Sequence, residues 1–382
     1  MFGLSRLATI SLIAIVLLGG ISCAGCDQPA PETPEPQEDP AIAQGAELYG
    51  EYCALCHGAE GEGYAADNAN ALNNQRFLAV ATDSFLRQAI AQGRPSTAMS
   101  AWSRLRGGPL SGGDIHKIVR FIRSWQDGPD ADVHSLRVTG DAQRAAPIYA
   151  ERCASCHGDE GQGQSALSLN NPRFLASASD GFLRYSIVHG RPGTPMPAFE
   201  NSLSTQETDD LVVLIRSWAR EVTSRTPVGD VQIDYSNIVV NPGGEAPEFT
   251  LREGRYVASV QVRDALAAGQ RIILLDARPT SDWLEEHITG AVPVPFYDMD
   301  RLVGELPRDG THIVAYCGCP HAASGRVVDR LRREGFENTS VLDEGVRHWI
   351  DEGYPSTQGQ PSRPTQASDS VEASAASPSV DD

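Results

Sequence analysis

Two short motifs constrain this chain more than anything else in it: Cys53-Ala54-Leu55-Cys56-His57 and Cys153-Ala154-Ser155-Cys156-His157. Two thiols at this spacing can close a disulfide or supply half of a zinc site. An imidazole directly after the second thiol, in both copies, points instead to covalent haem attachment. The thiols add across the vinyl groups and the histidine lies beneath the iron. The expected cofactors are two covalently bound haem c groups, one on Cys53, Cys56 and His57, the other on Cys153, Cys156 and His157.

The surrounding sequence repeats as well. Leu72-Asn73-Asn74-Gln75-Arg76-Phe77-Leu78-Ala79 returns as Leu169-Asn170-Asn171-Pro172-Arg173-Phe174-Leu175-Ala176, and Ile122-Arg123-Ser124-Trp125 as Ile215-Arg216-Ser217-Trp218. The sixth iron ligand follows from the same alignment. The chain holds 4 methionines, and Met99 and Met196 sit at equivalent places shortly after Gly-Arg-Pro. A thioether opposite an imidazole suits electron transfer and raises the haem potential. His189 and His116 are the rival ligands, but neither recurs in the other repeat.

Both repeats, at 41–127 and 139–222, resemble class I cytochromes c. The resemblance implies a small helical shell: an N-terminal helix, the attachment turn, a methionine loop and a C-terminal helix. Gly45 to Tyr49 with Ile118 to Trp125, and Ile148-Tyr149 with Leu211 to Trp218, fit the crossing helices. Leu211, Leu214, Ile215 and Trp218 have helical spacing for one buried face. Gly58, Gly61 and Gly63, echoed at Gly158, Gly161 and Gly163, read as backbone fitted closely around haem; no strand precedes them, as a phosphate loop would need.

Residues 1–25 read as an export signal, with Arg6 ahead of an uncharged apolar run too short for a membrane span. Ser22-Cys23-Ala24-Gly25-Cys26 resembles a bacterial lipoprotein signal, with Cys26, or Cys23, as the lipidated residue. That places the chain on the periplasmic side, anchored to a membrane through an N-terminal lipid. Residues 26–40, rich in proline and acid, read as a solvated spacer. The formal net charge of -19 excludes nucleic acid as a partner, since nothing would neutralise its phosphates.

Residues 223–250 read as a linker, after which strands and helices alternate as in a parallel α/β sheet. Tyr256 to Ala268 reads as helix, Ile272 to Leu275 and Ile313 to Tyr316 as strands, Arg326 to Glu334 as helix and Ser340 to Leu342 as strand. Over 251–358 the chain resembles the rhodanese family, carried by Leu275-Asp276-Ala277-Arg278, His287-Ile288-Thr289-Gly290-Ala291, Tyr316-Cys317, Leu342-Asp343-Glu344-Gly345 and Trp349. The resemblance implies that Cys317 accepts sulfur as a persulfide where a strand turns into a helix, and that His287 is structural. The loop departs from the family. Ala322 stands where sulfurtransferases carry arginine, and the loop counts to Ala323 with one residue extra. His321 could supply charge, Cys319 could resolve a persulfide, and Cys317, Cys319 and His321 together could bind metal. Residues 359–382 lack apolar periodicity and read as disordered.

The expected architecture is thus two all-α cytochrome c domains followed by an α/β rhodanese-like domain. Three functions stay open: an electron carrier whose third domain handles sulfane sulfur, a plain dihaem shuttle whose third domain docks a partner, and a haem enzyme oxidising thiosulfate or sulfide. Methionine at both irons weighs against the last, because substrate needs an open iron position. The partners implied are redox proteins of a respiratory or sulfur-oxidising chain and a small sulfur compound.

Overall fold

A computed structural model describes residues 39–222, 227–228, 231, 233–318 and 321–359. The export signal, the lipidation cysteines Cys23 and Cys26, Cys319 and the C-terminal tail lie outside the described residues. Among the described residues, no helix is long and apolar enough to cross a membrane.

Helices of the first repeat begin where the sequence offers caps. In α1 (Pro40–Tyr52) the Asp39 carboxylate accepts from the Ala41 amide at 2.9 Å, and Pro40 stands where no N–H is missed. The one-turn α2 (Ala54–His57) follows directly. Asn74 caps α3 (Gln75–Leu78) and Thr82 caps α4 (Asp83–Gln92). Ser111 and Asp114 form a capping box on α5 (Gly112–Ser124). Helices α1 and α5 cross at Gly45, where an added Cβ would lie 2.2 Å from the Lys117 carbonyl oxygen. Tyr49, Ile115, Ile118, Val119 and Ile122 fill the crossing.

The second repeat uses the same plan. It comprises α6 (Ala142–Arg152), α7 (Ala154–His157), α8 (Pro172–Ser177), α9 (Asp180–His189) and α10 (Thr205–Ser217), the last with a Ser204–Glu207 capping box. Ala145 takes the place of Gly45 and is fully buried, beside Tyr149, Leu211, Val212 and Ile215. The repeats meet through reciprocal contacts, as a local two-fold requires. Asn74 donates to the Pro192 carbonyl and Asn171 to the Pro95 carbonyl, each at 2.8 Å, while Phe85 and Phe182 stack at 5.0 Å.

The third region is an α/β layer whose central strands are buried on both faces, hence their continuous apolar runs. Its elements are β1 (Val239–Val240), β2 (Tyr256–Val257), α11 (Ser259–Ala267), β3 (Ile272–Asp276), α12 (Thr280–Glu285), β4 (His287–Ile288), β5 (Val292–Pro293), α13 (Asp300–Val303), β6 (His312–Tyr316), α14 (Ala322–Arg333), β7 (Thr339–Leu342), α15 (Gly345–Asp351) and β8 (Ser356–Thr357). The sheet runs β1-β3-β6-β7-β2, with β5 also on β3; β4 pairs with β8 separately. All pairs in the larger sheet are parallel except β1 with β3.

Three expectations are corrected here. The stretch 223–250 is not linker throughout: Val239 and Val240 pair antiparallel with Ile273 and Ile272, Ile238 is buried, and the Tyr235 hydroxyl donates to the Pro293 carbonyl. An apolar dipeptide beside an open sheet edge satisfies its backbone there. Tyr256 and Val257 are strand rather than helix, because pairing with Val341 and Leu342 takes their backbone groups. The loop after Cys317 ends before Ala323: the Gly325 amide donates to the His321 carbonyl at 2.7 Å, so α14 starts at Ala322.

Candidate haem and cysteine sites

Each attachment turn is built the same way. The thiols of Cys53, Cys56, Cys153 and Cys156 form no disulfide. Burial pushes the Cys53 thiol up to about 12 and, with Cys156 adding to it, the Cys153 thiol up to about 11. His57 and His157 are buried, and burial lowers both imidazoles against the opposing hydrogen bonds at Nδ1. Those bonds run to the Asn70 carbonyl and the Leu167 carbonyl, each at 2.9 Å. A neutral ring whose Nδ1 is tied to a carbonyl presents Nε2 as the coordinating nitrogen.

The turn itself is held by backbone contacts that repeat nearly to the ångström. Tyr49 donates to the Gly58 carbonyl at 2.9 Å and Tyr149 to the Gly158 carbonyl at 2.8 Å. The amides of Gly63 and Gly163 donate to the carbonyls of His57 and His157 at 2.7 Å. Gly61 has φ 74°, and a Cβ there would meet the Trp125 ring at 2.5 Å; Gly161 meets Trp218 at 2.6 Å. The tightness expected against the cofactor thus includes packing against the C-terminal tryptophan.

On the opposite loop, Thr97 Oγ1 accepts from the Met99 amide at 3.1 Å and Thr194 Oγ1 from the Met196 amide at 3.2 Å. The Arg94 and Arg191 amides donate to the Met99 and Met196 carbonyls at 2.8 and 3.0 Å. Met99 packs against the same core as Cys53. The rival ligands stand elsewhere: His116 is exposed on α5, and His189 lies 3.6 Å from Glu200 against the Tyr185 ring. Sequence reasoning missed the threonines and the arginines, although both repeat in register.

The residues fit haem c. Two thiols, a neutral imidazole and a thioether are the donor set, and Arg94 Nη1 is buried without a hydrogen-bond partner. Burial, with nearby Arg173, lowers the Arg94 guanidinium to about 10. A buried cation of this kind calls for an anion, and haem brings two propionates.

In the third region Cys317 is buried at the end of β6, with Sγ 3.3 Å from Ser324 Oγ in the first turn of α14. The N-terminal, positive end of that helix lies at this place. His321 Nε2 lies 3.0 Å from Asp343 Oδ1, and Arg326 stacks on Phe296 at 5.8 Å. Arg326 lines a cleft of about 400 Å³ with Tyr297, Arg330 and Arg333, and Cys317 is not part of it. Among the described residues no group of three or more His, Cys, Asp or Glu could hold a metal ion. His287 is buried, with Nδ1 2.7 Å from the Trp283 carbonyl and its ring stacked on that indole.

Fold and site define a c-type cytochrome with two haem modules and an appended α/β domain. Residues 40–122 and 140–215 match the family of cytochrome c oxidase, cbb3-type, subunit III, and residues 259–352 match the rhodanese-like domain. The cbb3-type cytochrome c oxidase subunit FixP of Bradyrhizobium diazoefficiens is 29% identical over 194 residues, covering 47% of this chain and 64% of that protein. The FixP subunit of Azorhizobium caulinodans is 30% identical over 183 residues, covering 46% and 59%. The chain thus spans less than two thirds of the length of these relatives. A solved rhodanese-like domain from Anabaena sp. is 26% identical with a TM-score of 0.26, covering 33% of this chain and 96% of that one. The first two modules thus match cbb3-type cytochrome c domains and the third a rhodanese-like domain.

Proposed function

We propose that Cys53, Cys56, Cys153 and Cys156 bind the haems covalently, and that His57 with Met99 and His157 with Met196 are the axial ligands. Each haem supplies one-electron Fe(III)/Fe(II) chemistry when bound. The chain's residues hold it: the carbonyls of Asn70 and Leu167 orient the imidazoles, and Thr97 and Thr194 hold the methionine loops. The observation carrying this reading is the coincidence of these bonds in both modules. Denatured protein should retain two haems per chain, measured as the pyridine haemochrome; one haem, or none, would overturn the assignment.

Cys317 takes up sulfane sulfur. Its thiolate attacks the outer sulfur of thiosulfate, a sulfur–sulfur bond forms at Sγ, and the bond to the sulfite sulfur breaks. Sulfite leaves with the electron pair, so no external oxidant or reductant is needed. The α14 N-terminus and Ser324 Oγ beside Sγ support the anionic persulfide. The missing arginine favours a second reading, in which the domain is a docking module. Incubation with thiosulfate followed by mass spectrometry separates them: a 32 Da adduct lost in Cys317→Ser supports transfer, and no adduct leaves docking.

The chain works on the periplasmic side, lipid-anchored at Cys26 or Cys23, and passes electrons to redox proteins of a respiratory or sulfur-oxidising chain. Radiolabelled palmitate should enter the wild type and not a variant lacking both cysteines.

A further inference from the structure

We propose that the rhodanese-like domain is a built-in cover for the first haem module. It occupies the side where that module's attachment turn and methionine loop lie, closing it to external redox proteins. The equivalent side of the second module is left as the chain's open exchange surface. The inference rests on the haem-ligand reading above and is independent of sulfur chemistry at Cys317.

The contacts are specific. Leu55, inside the first attachment motif, and Ala98, next to Met99, pack against the core of the α/β domain. Phe296 and Tyr297 of that domain pack in turn against the cytochrome core, with Tyr297 5.0 Å from the Tyr52 ring. Ser100 Oγ donates to Asp282 Oδ2 at 2.7 Å, and Ser281 Oγ donates to the Ala101 carbonyl at 2.6 Å. Arg347 donates to Asp67 Oδ2 at 3.0 Å and to the Gly318 carbonyl at 3.2 Å, tying the first module to the loop that carries Cys317. A Cβ on Gly318 would sit 3.9 Å from Ala98 Cα.

The second module differs at most of the aligned side chains. Ser155 replaces Leu55, Pro195 replaces Ala98 and Pro197 replaces Ser100, and all three are exposed. A proline carries no hydroxyl to donate. The histidine and the carbonyl that holds its ring are separated by 13 residues in the first module and 10 in the second. Asp67 stands in the longer loop, at φ 53°. Leu55, Ala98 and Ser100, which receive the third domain, thus each differ from their counterparts in the second module.

Hydrogen exchange of the full-length holoprotein tests the proposal. Both methionine loops have the same backbone bonds, from Arg94 to Met99 and from Arg191 to Met196, so unequal exchange reports the cover. Peptides spanning 94–102 should exchange at least tenfold more slowly than those spanning 191–199. Asp67→Lys with Ser100→Pro should raise the first set toward the second without changing α1 or α5. Restoring the pair as Asp67→Lys with Arg347→Asp, on native Ser100, should bring protection back. Stopped-flow reduction by a reduced blue-copper protein should show one fast and one slow haem, the slow phase quickening at least tenfold in the opened variant. Hexaammineruthenium(II), being small, should distinguish the haems less. Equal exchange of the two loops in the wild type, or equal reduction of both haems by the blue-copper protein, would overturn the proposal, and neither comparison needs a variant.

Discussion

The two haem modules share their internal bonds and differ in what surrounds them. Tyr49 and Tyr149, Gly61 and Gly161, and Thr97 and Thr194 make the same contacts in both copies. At the surface the copies part. Leu55, Ala98 and Ser100 meet the α/β domain, whereas Ser155, Pro195 and Pro197 are exposed. Residues that shape a cofactor site are held to one geometry by that cofactor, while surface residues diverge with their neighbours.

The largest test of this equivalence removes one attachment site at a time. Cys53→Ala with Cys56→Ala should halve the covalent haem per chain, and Cys153→Ala with Cys156→Ala should do the same, read by haem staining and mass. Two haems remaining in either variant would mean that the motif is not the attachment site.

Ligand exchange comes next. Met99→His and Met196→His should each lower the potential of one haem by on the order of 0.1 V, within the ~0.8 V over which axial ligands tune haem. Each should also remove the methionine–iron charge-transfer band of that haem. An unchanged titration for Met99→His, with Met196→His effective, would break the equivalence in the first module.

The helix crossing separates the modules by packing. Gly45→Ala places a methyl on the Lys117 carbonyl and should cost about 1–3 kcal/mol of stability. Ala145→Gly in the second module should cost only about 0.5–1 kcal/mol, through backbone freedom. Thermal unfolding of both variants reads the difference; equal shifts would show that the crossings are alike.

The smallest effect concerns pH at the covered module. Burial pushes the Asp282 carboxyl from its ordinary 3.8 up to about 6, against the lowering influence of Arg278 and the Ser100 hydroxyl. A folded value raised above the unfolded one contributes stability that is fully present below about 4 and lost as pH rises through about 6. Protection of 94–102 should therefore weaken from pH 4 to pH 7, and Asp282→Asn should flatten that slope while 191–199 shows none.

Much of the site was legible because haem attachment is covalent. Its chemistry needs the thiols and imidazole contiguous, so the motif survives in one dimension, and duplication singled out Met99 and Met196 by register as the proposed sixth ligands. Thr97 and Arg94 repeat equally well, yet a threonine or arginine in a loop carries no chemistry of its own to single it out. The strand at Val239 and Val240 was hidden because a two-residue stretch has too little periodicity to declare itself and forms only beside the edge of β3.

Taken alone, the sequence determined the two cytochrome modules and the rhodanese-like sheet, and singled out the proposed haem ligands, since each depends on local motifs or on apolar runs of strand and helix length. The tertiary structure decided where α14 begins, which strand edge the expected linker closes, and that Arg347 reaches Asp67 across 280 positions of chain. Those outcomes depend on surfaces brought together only after each module has folded. Packing between distant segments leaves no periodic trace in either one.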